Sequence, residues 1–340
     1  MESDDVKALV LEENAKLVCR EHELRTVEGW YKLKIAAAGI CGSDLGRGFK
    51  SGAYHYPLVM GHEFSAVVEE APKGGRFAPG TRVAVYPLLP CGRCASCRKG
   101  YIQLCLKYDY FGSRRDGAFA QFLYAPESHL LPIPEGVLLE EAAMCEPAAV
   151  AHHGVSQHPV EPGRAALVIG GGPIGLITAQ WLRIKGCASV AVADIDPEKL
   201  AFAAKFGFEA IDSRKLDERA DAFDYVAECC GLAVTRTTAV KCCARKGHVF
   251  FIGNPADDWT LEKAFFSSVL RREISFTGSW NSVPDPDWTA VLAHAGKDLD
   301  LKSLVTTRSS LEDAPAAFDR ILKREGFHCK ALIFPNGGLE

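Results

Sequence analysis

The sequence predicts an α/β protein with two parts, of which one is rich in β-strands and the other contains a parallel sheet. Before Glu140, short strand-like segments such as Tyr31–Ala37 and Ser65–Glu70 alternate with turns. From Arg164 onwards, short apolar strands alternate with helical segments, which indicates crossover connections between parallel strands. The length of 340 residues is enough for two domains.

Each predicted element rests on its own local pattern. Thr81–Tyr86 alternates like a strand after a Pro-Gly turn, whereas Glu140–Gln157 has helical spacing with a break predicted at Pro147. The strands of the parallel sheet are expected at Ala165–Ile169, Ser189–Asp194, Phe223–Glu228, His248–Ile252 and Ile274–Thr277. The helices and the last strand are expected at Pro173–Lys185, Glu198–Phe206, Asp287–Ala295, Glu312–Arg324 and Lys330–Phe334.

The composition is that of a soluble globular protein, with 48% hydrophobic residues and a net charge of −4. The negative charge argues against a nucleic-acid partner, because such proteins carry clustered basic residues. The acidic start Met1–Asp5 lacks the apolar core of a secretory signal, and no apolar run is long enough to cross a membrane. We therefore expect a cytoplasmic protein whose 13 cysteines bind metal or stay as free thiols.

A glycine-rich motif, G-x-G-x-x-G, lies between the first strand of the parallel sheet and the following helix. Its glycines permit a tight turn and let the backbone approach a pyrophosphate, which the helix N-terminus attracts. Asp194 ends the next strand, where a carboxylate binds the ribose 2′-hydroxyl and repels a 2′-phosphate. Asp196 is close by, but Pro197 indicates that it caps the next helix. We therefore predict an NAD site at Gly170, Gly172, Pro173, Ile174, Gly175 and Asp194.

Four cysteines follow one another closely in the β-rich part, with the spacing C-x2-C-x2-C-x7-C. Such a cluster can wrap one tetrahedral Zn²⁺ and fill its coordination shell, so this site is predicted to be structural. The alternative, a zinc ribbon that reads nucleic acid, fits poorly with an acidic chain and a nucleotide fold. The predicted ligands are Cys91, Cys94, Cys97 and Cys105.

A second set of metal donors is dispersed along the chain. Cys41 follows a strand, His62 precedes one, and Glu146 stands where a helical segment breaks. Cysteine, histidine and carboxylate are suitable for a catalytic Zn²⁺ with one open position, at which a bound alcohol loses its proton more readily. Each residue alone is better explained as a packed core group, but its combination with the nucleotide motif favours the metal site.

The order of these motifs resembles that of the zinc-containing medium-chain dehydrogenases, and most closely their polyol branch. The resemblance covers essentially the whole chain and implies a β-rich, GroES-like catalytic domain at 1–149 and 283–340, split by a doubly wound Rossmann cofactor domain at 150–282. It also implies two Zn²⁺ per chain, NAD, a small polyol substrate and a homodimer or homotetramer. The segments that carry it are Cys41–Leu45, Phe49–Lys50, Gly61–Ser65, Gly112–Gly117, Glu146–Pro147, Gly170–Gly175 and Gly278–Trp280.

The resemblance assigns metal roles within the dispersed set. Cys41 and His62 are the zinc ligands that it supports most directly. Glu146 is favoured as the third ligand over the neighbouring Cys145, because a Glu-Pro pair is the pattern of the polyol branch. Glu63 belongs to the catalytic residues and either ligates zinc directly or exchanges with Glu146.

Proton transfer is assigned in the same way. Ser43 resembles the hydroxyl that takes the alcohol proton, and Asp44 resembles the carboxylate that orients the histidine ligand. Many family members carry a histidine a few residues later, where this chain has Gly46 and Arg47. The outer proton path is therefore left to water or to His55.

The loop Gly112–Gly117 is the candidate for substrate recognition. It carries Arg114 and Arg115, and the planar guanidinium fork suits phosphate oxygens. One of these arginines is predicted to hold the phosphate of a sugar-alcohol phosphate. Alternatively, both form ion pairs with Asp109 or Asp116, and the substrate is an unphosphorylated polyol such as sorbitol or xylitol. A non-catalytic homologue that binds NAD and zinc is a further alternative, which the open donor set disfavours.

Overall fold

The computed structural model describes residues 3–338, which form two compact units. One unit comprises Met1–Glu146 and Val283–Glu340, and the other comprises Pro147–Ser282. The predicted fold class is confirmed, because the first unit is rich in mostly antiparallel β-structure and the second holds a parallel sheet. Within the described range, no helix has both the length and the apolar sequence needed to cross a membrane.

The strands of the first unit form three sheets. Numbered along the whole chain, they are β1 (Ser3–Glu13), β2 (Lys16–Arg25), β3 (Tyr31–Gly39), β4 (Leu58–Val59), β5 (Glu63–Glu70), β6 (Arg82–Val85), β7 (Leu88–Leu89), β8 (Asp109–Tyr110), β9 (Phe122–Ala125), β10 (Leu130–Pro132), β17 (Val305–Ser309) and β18 (Lys330–Ile333). The largest sheet has the order β10-β6-β5-β3-β18-β17, with β9 also paired to β3. The others have the orders β2-β1-β4 and β7-β8. Leu9, Phe64, Phe119 and Phe318 belong to the core of this unit.

The helices outside the parallel sheet are mostly short. They are α1 (Gly42–Phe49), α2 (Ala95–Arg98), α3 (Leu139–Ala142), α4 (Cys145–Ser156), α9 (Thr289–His294) and α10 (Ala314–Lys323), with single turns at Ile102–Leu104, Glu127–His129, Pro284–Trp288 and Lys302–Leu304. The predicted break at Pro147 is wrong, because the interruption lies between Ala142 and Cys145 and Pro147 falls in the first turn of α4. A proline there loses no helical hydrogen bond, since the first N–H groups of a helix have no acceptor within it.

The second unit alternates strands and helices around one parallel sheet. Its elements are β11 (Ala165–Ile169), α5 (Pro173–Ile184), β12 (Ser189–Asp194), α6 (Pro197–Lys205), β13 (Glu209–Asp212), a 3-10 turn (Ser213–Arg219), β14 (Phe223–Glu228), α7 (Ala233–Cys242), β15 (Cys243–Phe251), α8 (Lys263–Arg272) and β16 (Ser275–Gly278). The sheet order β13-β12-β11-β14-β15-β16 reverses between β11 and β14. Ile169 lies beside Ala193 and Glu228, so the turns that follow these strands meet at one edge, where doubly wound sheets bind ligands.

Candidate active site

Cys41 lies at the N-terminus of α1, just after β3 leaves the large sheet. Its Sγ accepts the Ser43 backbone N–H at 3.5 Å, and its own N–H donates to Asp44 Oδ2 at 3.0 Å. The positive end of a helix suits the anionic thiolate form in which cysteine binds metals. The turn therefore presents Cys41 as a sulfur donor and places Ser43 in the first turn of the helix beside it.

His62 is buried next to a carboxylate that is buried as well. Asp44 Oδ1 lies 3.4 Å from His62 Nδ1 and accepts a hydrogen bond from Arg47 Nη1 at 3.1 Å. Burial disfavours the charged form of both groups, but their mutual attraction raises the pKa of His62 and, together with Arg47, lowers that of Asp44. A carboxylate in this position fixes the orientation of an imidazole ring.

Glu63 begins β5 and is almost completely buried. Its Oε2 forms an ion pair with Lys330 Nζ, which also donates to the Ile40 carbonyl at 3.0 Å. A Cβ on Gly39 would overlap both the Glu63 carboxylate and the Lys330 side chain, so only glycine leaves room for the pair. The Glu63 carboxylate is therefore held on one side by a buried cation and lies against the end of β3.

Three of the predicted donors come together in the structure. The donor atoms of Cys41, His62 and Glu63 all lie within 4.8 Å of one another. Glu146, which the sequence favoured as the third ligand, lies outside this group, and its Oε1 accepts a hydrogen bond from the Tyr110 hydroxyl at 3.0 Å. Burial raises the pKa of Glu146 to about 7, an effect that His62 opposes and Glu63 strengthens. The neighbouring Cys145 is fully buried, and burial raises its pKa above the usual range.

The chemistry of this donor set fits a zinc ion. A thiolate, an imidazole and a carboxylate form an open site, in which a fourth position is left for water or an alcohol. The contact between Asp44 and His62 is of the kind that zinc-bound histidines make with their free nitrogen. Cys41, His62 and Glu63 would hold the metal, and the Glu146 carboxylate is close enough to interact electrostatically with His62 and Glu63.

The four-cysteine lobe, residues 91–105, brings its sulfur atoms together in a second place. All four Sγ atoms lie within 4.8 Å of one another, with Cys94 Sγ 3.5 Å from Cys97 Sγ and 3.9 Å from Cys105 Sγ. The Cys91 N–H donates to Cys105 Sγ at 3.2 Å, and backbone N–H groups, first that of Cys97, lower the pKa of Cys94 to about 6. Four thiolates complete a tetrahedral shell, so this arrangement suits a closed, structural zinc site.

The glycine-rich turn joins β11 to α5. Gly170 has a φ of +113°, and a Cβ on Gly175 would overlap the Gly170 carbonyl, so neither position accommodates a side chain. Gly172 is the N-cap of α5 and has open space beside it, and Pro173 begins the helix with Ile174 in its first turn. The turn therefore presents backbone N–H groups and the positive end of a helix, which suit a pyrophosphate.

Asp194 ends β12 at the same edge of the sheet. Its Oδ2 accepts the Gly171 N–H at 2.8 Å and lies 3.6 Å from Lys199 Nζ, while its Oδ1 accepts the Asp196 N–H at 3.0 Å. Asp196 in turn accepts the Glu198 N–H at 2.9 Å and caps α6, which confirms the role predicted for it. The Asp194 carboxylate is thus fixed directly against the glycine-rich turn.

Arg114 is held by aromatic rings. Its guanidinium lies 4.3 Å from the centre of the Tyr108 ring and 4.7 Å from that of Tyr54. Tyr108 packs edge-on against Tyr110 at 6.0 Å between ring centres, and Tyr110 packs in the same way against His62 at 5.6 Å. No ion pair with any residue of the described range engages Arg114, so its donors are available to an anion.

Arg115 has a different environment from its neighbour. Its Nη1 lies 3.4 Å from Asp109 Oδ2, and its guanidinium packs over the Trp30 ring at 4.7 Å. Asp116 accepts the Val59 N–H at 2.9 Å and pairs with His22 Nε2 at 2.9 Å. The alternative of structural ion pairs is therefore correct for Arg115 and Asp109, and it does not extend to Arg114.

Both ends of this arginine loop lie against the turn that carries His62, and its C-terminal end is hydrogen-bonded to that turn. Gly117 donates to the Val59 carbonyl at 2.8 Å, and Ala118 donates to the Gly61 carbonyl at 2.9 Å. A Cβ on Gly112 or Gly117 would overlap the Gly61 backbone. Glycines at these three positions therefore let two backbone segments meet directly behind His62.

Comparison with known proteins identifies the family. Residues 27–135 match the alcohol dehydrogenase GroES-like domain, and residues 173–297 match the zinc-binding dehydrogenase domain. Galactitol 1-phosphate 5-dehydrogenase of Escherichia coli strain K12 is 34% identical over 319 residues, which cover 89% of this chain and 92% of that protein. The chain belongs to the zinc-containing medium-chain dehydrogenase family. It is a zinc-type alcohol dehydrogenase whose relatives include enzymes of polyols.

Solved structures share the fold of this dehydrogenase over nearly its whole length. Galactitol-1-phosphate dehydrogenase from Escherichia coli has a TM-score of 0.89 at 30% identity and covers 97% of this chain and 100% of its own. A zinc-binding dehydrogenase from Sinorhizobium meliloti 1021, solved with bound NADP, has a TM-score of 0.90 at 27% identity and covers 98% and 100%. The cofactor of the family is accordingly NAD or NADP.

Sequence reasoning missed three residues of the site in this dehydrogenase. Gly39 and Lys330 lie against the Glu63 carboxylate, and Tyr110 donates a hydrogen bond to the Glu146 carboxylate. The sequence around Lys330 could have indicated its role, because a lysine at the start of an otherwise apolar strand needs a buried partner. Tyr110 and Gly39 gave no such indication, because their role depends on side chains that lie far away in the sequence.

Proposed function

We propose that this dehydrogenase oxidises a secondary alcohol of a sugar alcohol or sugar-alcohol phosphate to a ketone and transfers the hydride to NAD. A substrate similar to galactitol 1-phosphate is favoured. The observation that carries the proposal is the open donor group of Cys41, His62 and Glu63. Zinc held there would lower the pKa of an alcohol hydroxyl, so that its proton leaves near neutral pH.

Ser43 and Asp44 complete the reacting centre in this proposal. The Ser43 backbone N–H donates to the Cys41 sulfur, so Ser43 is next to a proposed zinc ligand, and we assign to its hydroxyl the role of accepting the alcohol proton while it passes its own proton on. Asp44 keeps the His62 ring in place. Arg47 is paired with Asp44 and has no proton acceptor to offer, so the path from Ser43 to the solvent is left to water or to His55.

NAD is the proposed cofactor because of Asp194. A carboxylate at the end of the second strand binds the ribose hydroxyls and repels the 2′-phosphate of NADP. The Asp194 carboxylate is nearly buried and is fixed by the Gly171 N–H. Lys199 lies close enough to offset part of that repulsion, so the preference is expected to be finite.

Arg114 is the proposed phosphate contact. Its guanidinium is stacked between Tyr54 and Tyr108 and makes no ion pair within the described residues, whereas Arg115 is engaged by Asp109. Stacking orders an arginine without using its hydrogen-bond donors. The name of the relative from Escherichia coli, galactitol 1-phosphate 5-dehydrogenase, supports the same substrate class.

The test is an NADH-release screen of the purified enzyme against matched pairs of sugar alcohols and their 1-phosphates. We expect turnover of polyols, with the phosphate favoured by about tenfold or more, because one charge-assisted contact contributes roughly 1.5–3 kcal/mol. Equal kcat/KM for galactitol and its 1-phosphate would leave an enzyme of unphosphorylated polyols such as sorbitol or xylitol. Absence of turnover with every alcohol would support the non-catalytic homologue. Assembly into a homodimer or homotetramer and a cytoplasmic location stay predictions.

A further inference from the structure

Two buried carboxylates, those of Glu63 and Glu146, lie near the candidate metal donors. Glu63 and Glu146 are both close to His62, yet only one carboxylate is needed beside a thiolate and an imidazole to leave an open position. Each carboxylate has its own restraint. Glu63 is paired with Lys330, and Glu146 accepts the Tyr110 hydroxyl at 3.0 Å.

The two restraints act in different directions. The cavity beside Gly39 holds the Glu63–Lys330 pair against the end of β3, and there the carboxylate remains within 4.8 Å of the Cys41 and His62 donors. The Tyr110 hydroxyl engages Glu146, which stays outside that group. The two carboxylates thus differ in their partners and in their distance from the other donors, whereas the family resemblance allowed Glu63 to exchange with Glu146.

Tyr110 is itself held firmly. It lies in β8, where it pairs with Leu88 of β7. Its ring packs edge-on against His62 at 5.6 Å and against Tyr108 at 6.0 Å between ring centres. The strand pairing and the two ring contacts restrain Tyr110, whose hydroxyl donates to Glu146.

We propose that Tyr110 is a positioning residue whose hydroxyl keeps the Glu146 carboxylate out of the metal donor set, so that Glu63 supplies the carboxylate ligand. The proposal rests on the zinc site proposed above. A buried carboxylate that loses its hydrogen-bond donor must find another partner, because leaving it unpaired is costly. In Tyr110→Phe a bound metal is the nearby cation with an open position for Glu146, since Lys330 is already paired with Glu63, so the coordination should change.

Cobalt(II) in place of zinc provides a readout that does not depend on turnover, since its visible spectrum reports on its ligands. The spectrum of Cys41→Ser, which retains the four-cysteine lobe, is subtracted to isolate the open site. We expect Glu63→Gln to alter the open-site spectrum and Glu146→Gln to leave it as in the wild type. Tyr110→Phe should alter it, and Tyr110→Phe combined with Glu146→Gln should restore it.

Tyr108→Phe is the matched control, because the Tyr108 ring lies beside Tyr110 without a hydrogen bond to Glu146. A wild-type spectrum in Tyr110→Phe would overturn the proposal. So would a change in Glu146→Gln alone, since Glu146 would then already be a ligand. If the wild-type chain shows no cobalt signal beyond that of Cys41→Ser, the open metal site fails and the positioning role of Tyr110 fails with it.

Discussion

The two proposed metal sites of this dehydrogenase are built on opposite principles. The four-cysteine lobe takes all its donors from residues 91–105, and those sulfurs contact one another and nearby backbone N–H groups. The open site takes Cys41 from the end of β3 and His62 and Glu63 from the start of β5, and it depends on Asp44 and Lys330 to hold them. A closed site can therefore be encoded locally, whereas an open site needs the surrounding fold to keep its ligands apart from their competitors.

The largest expected effect is the difference between a substitution in the open site and one in the four-cysteine lobe. Cys41→Ser should reduce turnover to background and leave the fold intact, whereas Cys94→Ser should lower the melting temperature, because a structural zinc contributes folding free energy. The zinc content, the melting temperature and the rate of NADH release are measured for both variants. We expect two zinc ions per chain in the wild type and one in each variant. A single zinc ion per chain in fully active wild-type protein would contradict the presence of two metal sites.

The second prediction tests whether the open site depends on distant packing. Gly117→Ala should lower the free energy of unfolding by about 1–3 kcal/mol, since its Cβ would overlap the Gly61 backbone behind His62. Zinc should be lost from the open site before it is lost from the lobe. Urea unfolding and stepwise chelation measure this. Gly278→Ala, which has open space around its Cβ, is the control. Equal stability of the two variants would show that the contact behind His62 is not needed.

The third prediction concerns the cofactor site, which combines a local element with a more distant residue. The glycine motif is one continuous turn, whereas Asp194 comes from the end of the next strand. Asp194→Ala should bring the dissociation constants of NAD and NADP closer together by about tenfold, because one charge-assisted contact is lost and the repulsion of the 2′-phosphate disappears. Fluorescence titration of the apoenzyme gives both constants. A wild-type protein that binds NADP more tightly than NAD would show that Asp194 does not act as proposed.

The smallest expected effect concerns the arginine loop. Arg114→Ala should raise KM for the phosphorylated polyol by about tenfold and leave the neutral polyol nearly unchanged, because only the phosphate contact is removed. Arg271→Ala, in α8 of the other unit, is the matched control for loss of a surface charge. If kcat/KM falls by the same factor for the phosphorylated and the neutral polyol, Arg114 supports the loop and does not recognise phosphate.

The sequence predicted most of the fold, and three of the donor residues it singled out, Cys41, His62 and Glu63, lie together. Three strands of the parallel sheet, Ala165–Ile169, Ser189–Asp194 and Phe223–Glu228, have the predicted bounds because buried parallel strands are short apolar runs between clear breaks. Spacing alone could not choose between Glu63 and Glu146, since in our proposal that choice depends on Lys330 and Tyr110. Helical spacing also misplaced the break at Pro147, because proline is tolerated in a first turn.

The glycine contacts behind His62 have a consequence for how this scaffold can diversify. Gly112 and Gly117 both lie against the Gly61 backbone, and the side chains of Arg114 and Arg115 between them contact aromatic rings and Asp109, none of which is a proposed metal donor. If Arg114 recognises the substrate phosphate as proposed, a change of sequence within the loop would alter which alcohol is accepted without replacing any of the proposed metal donors. Loops from related enzymes, grafted between these two glycines, are a direct route to exchanging substrate range.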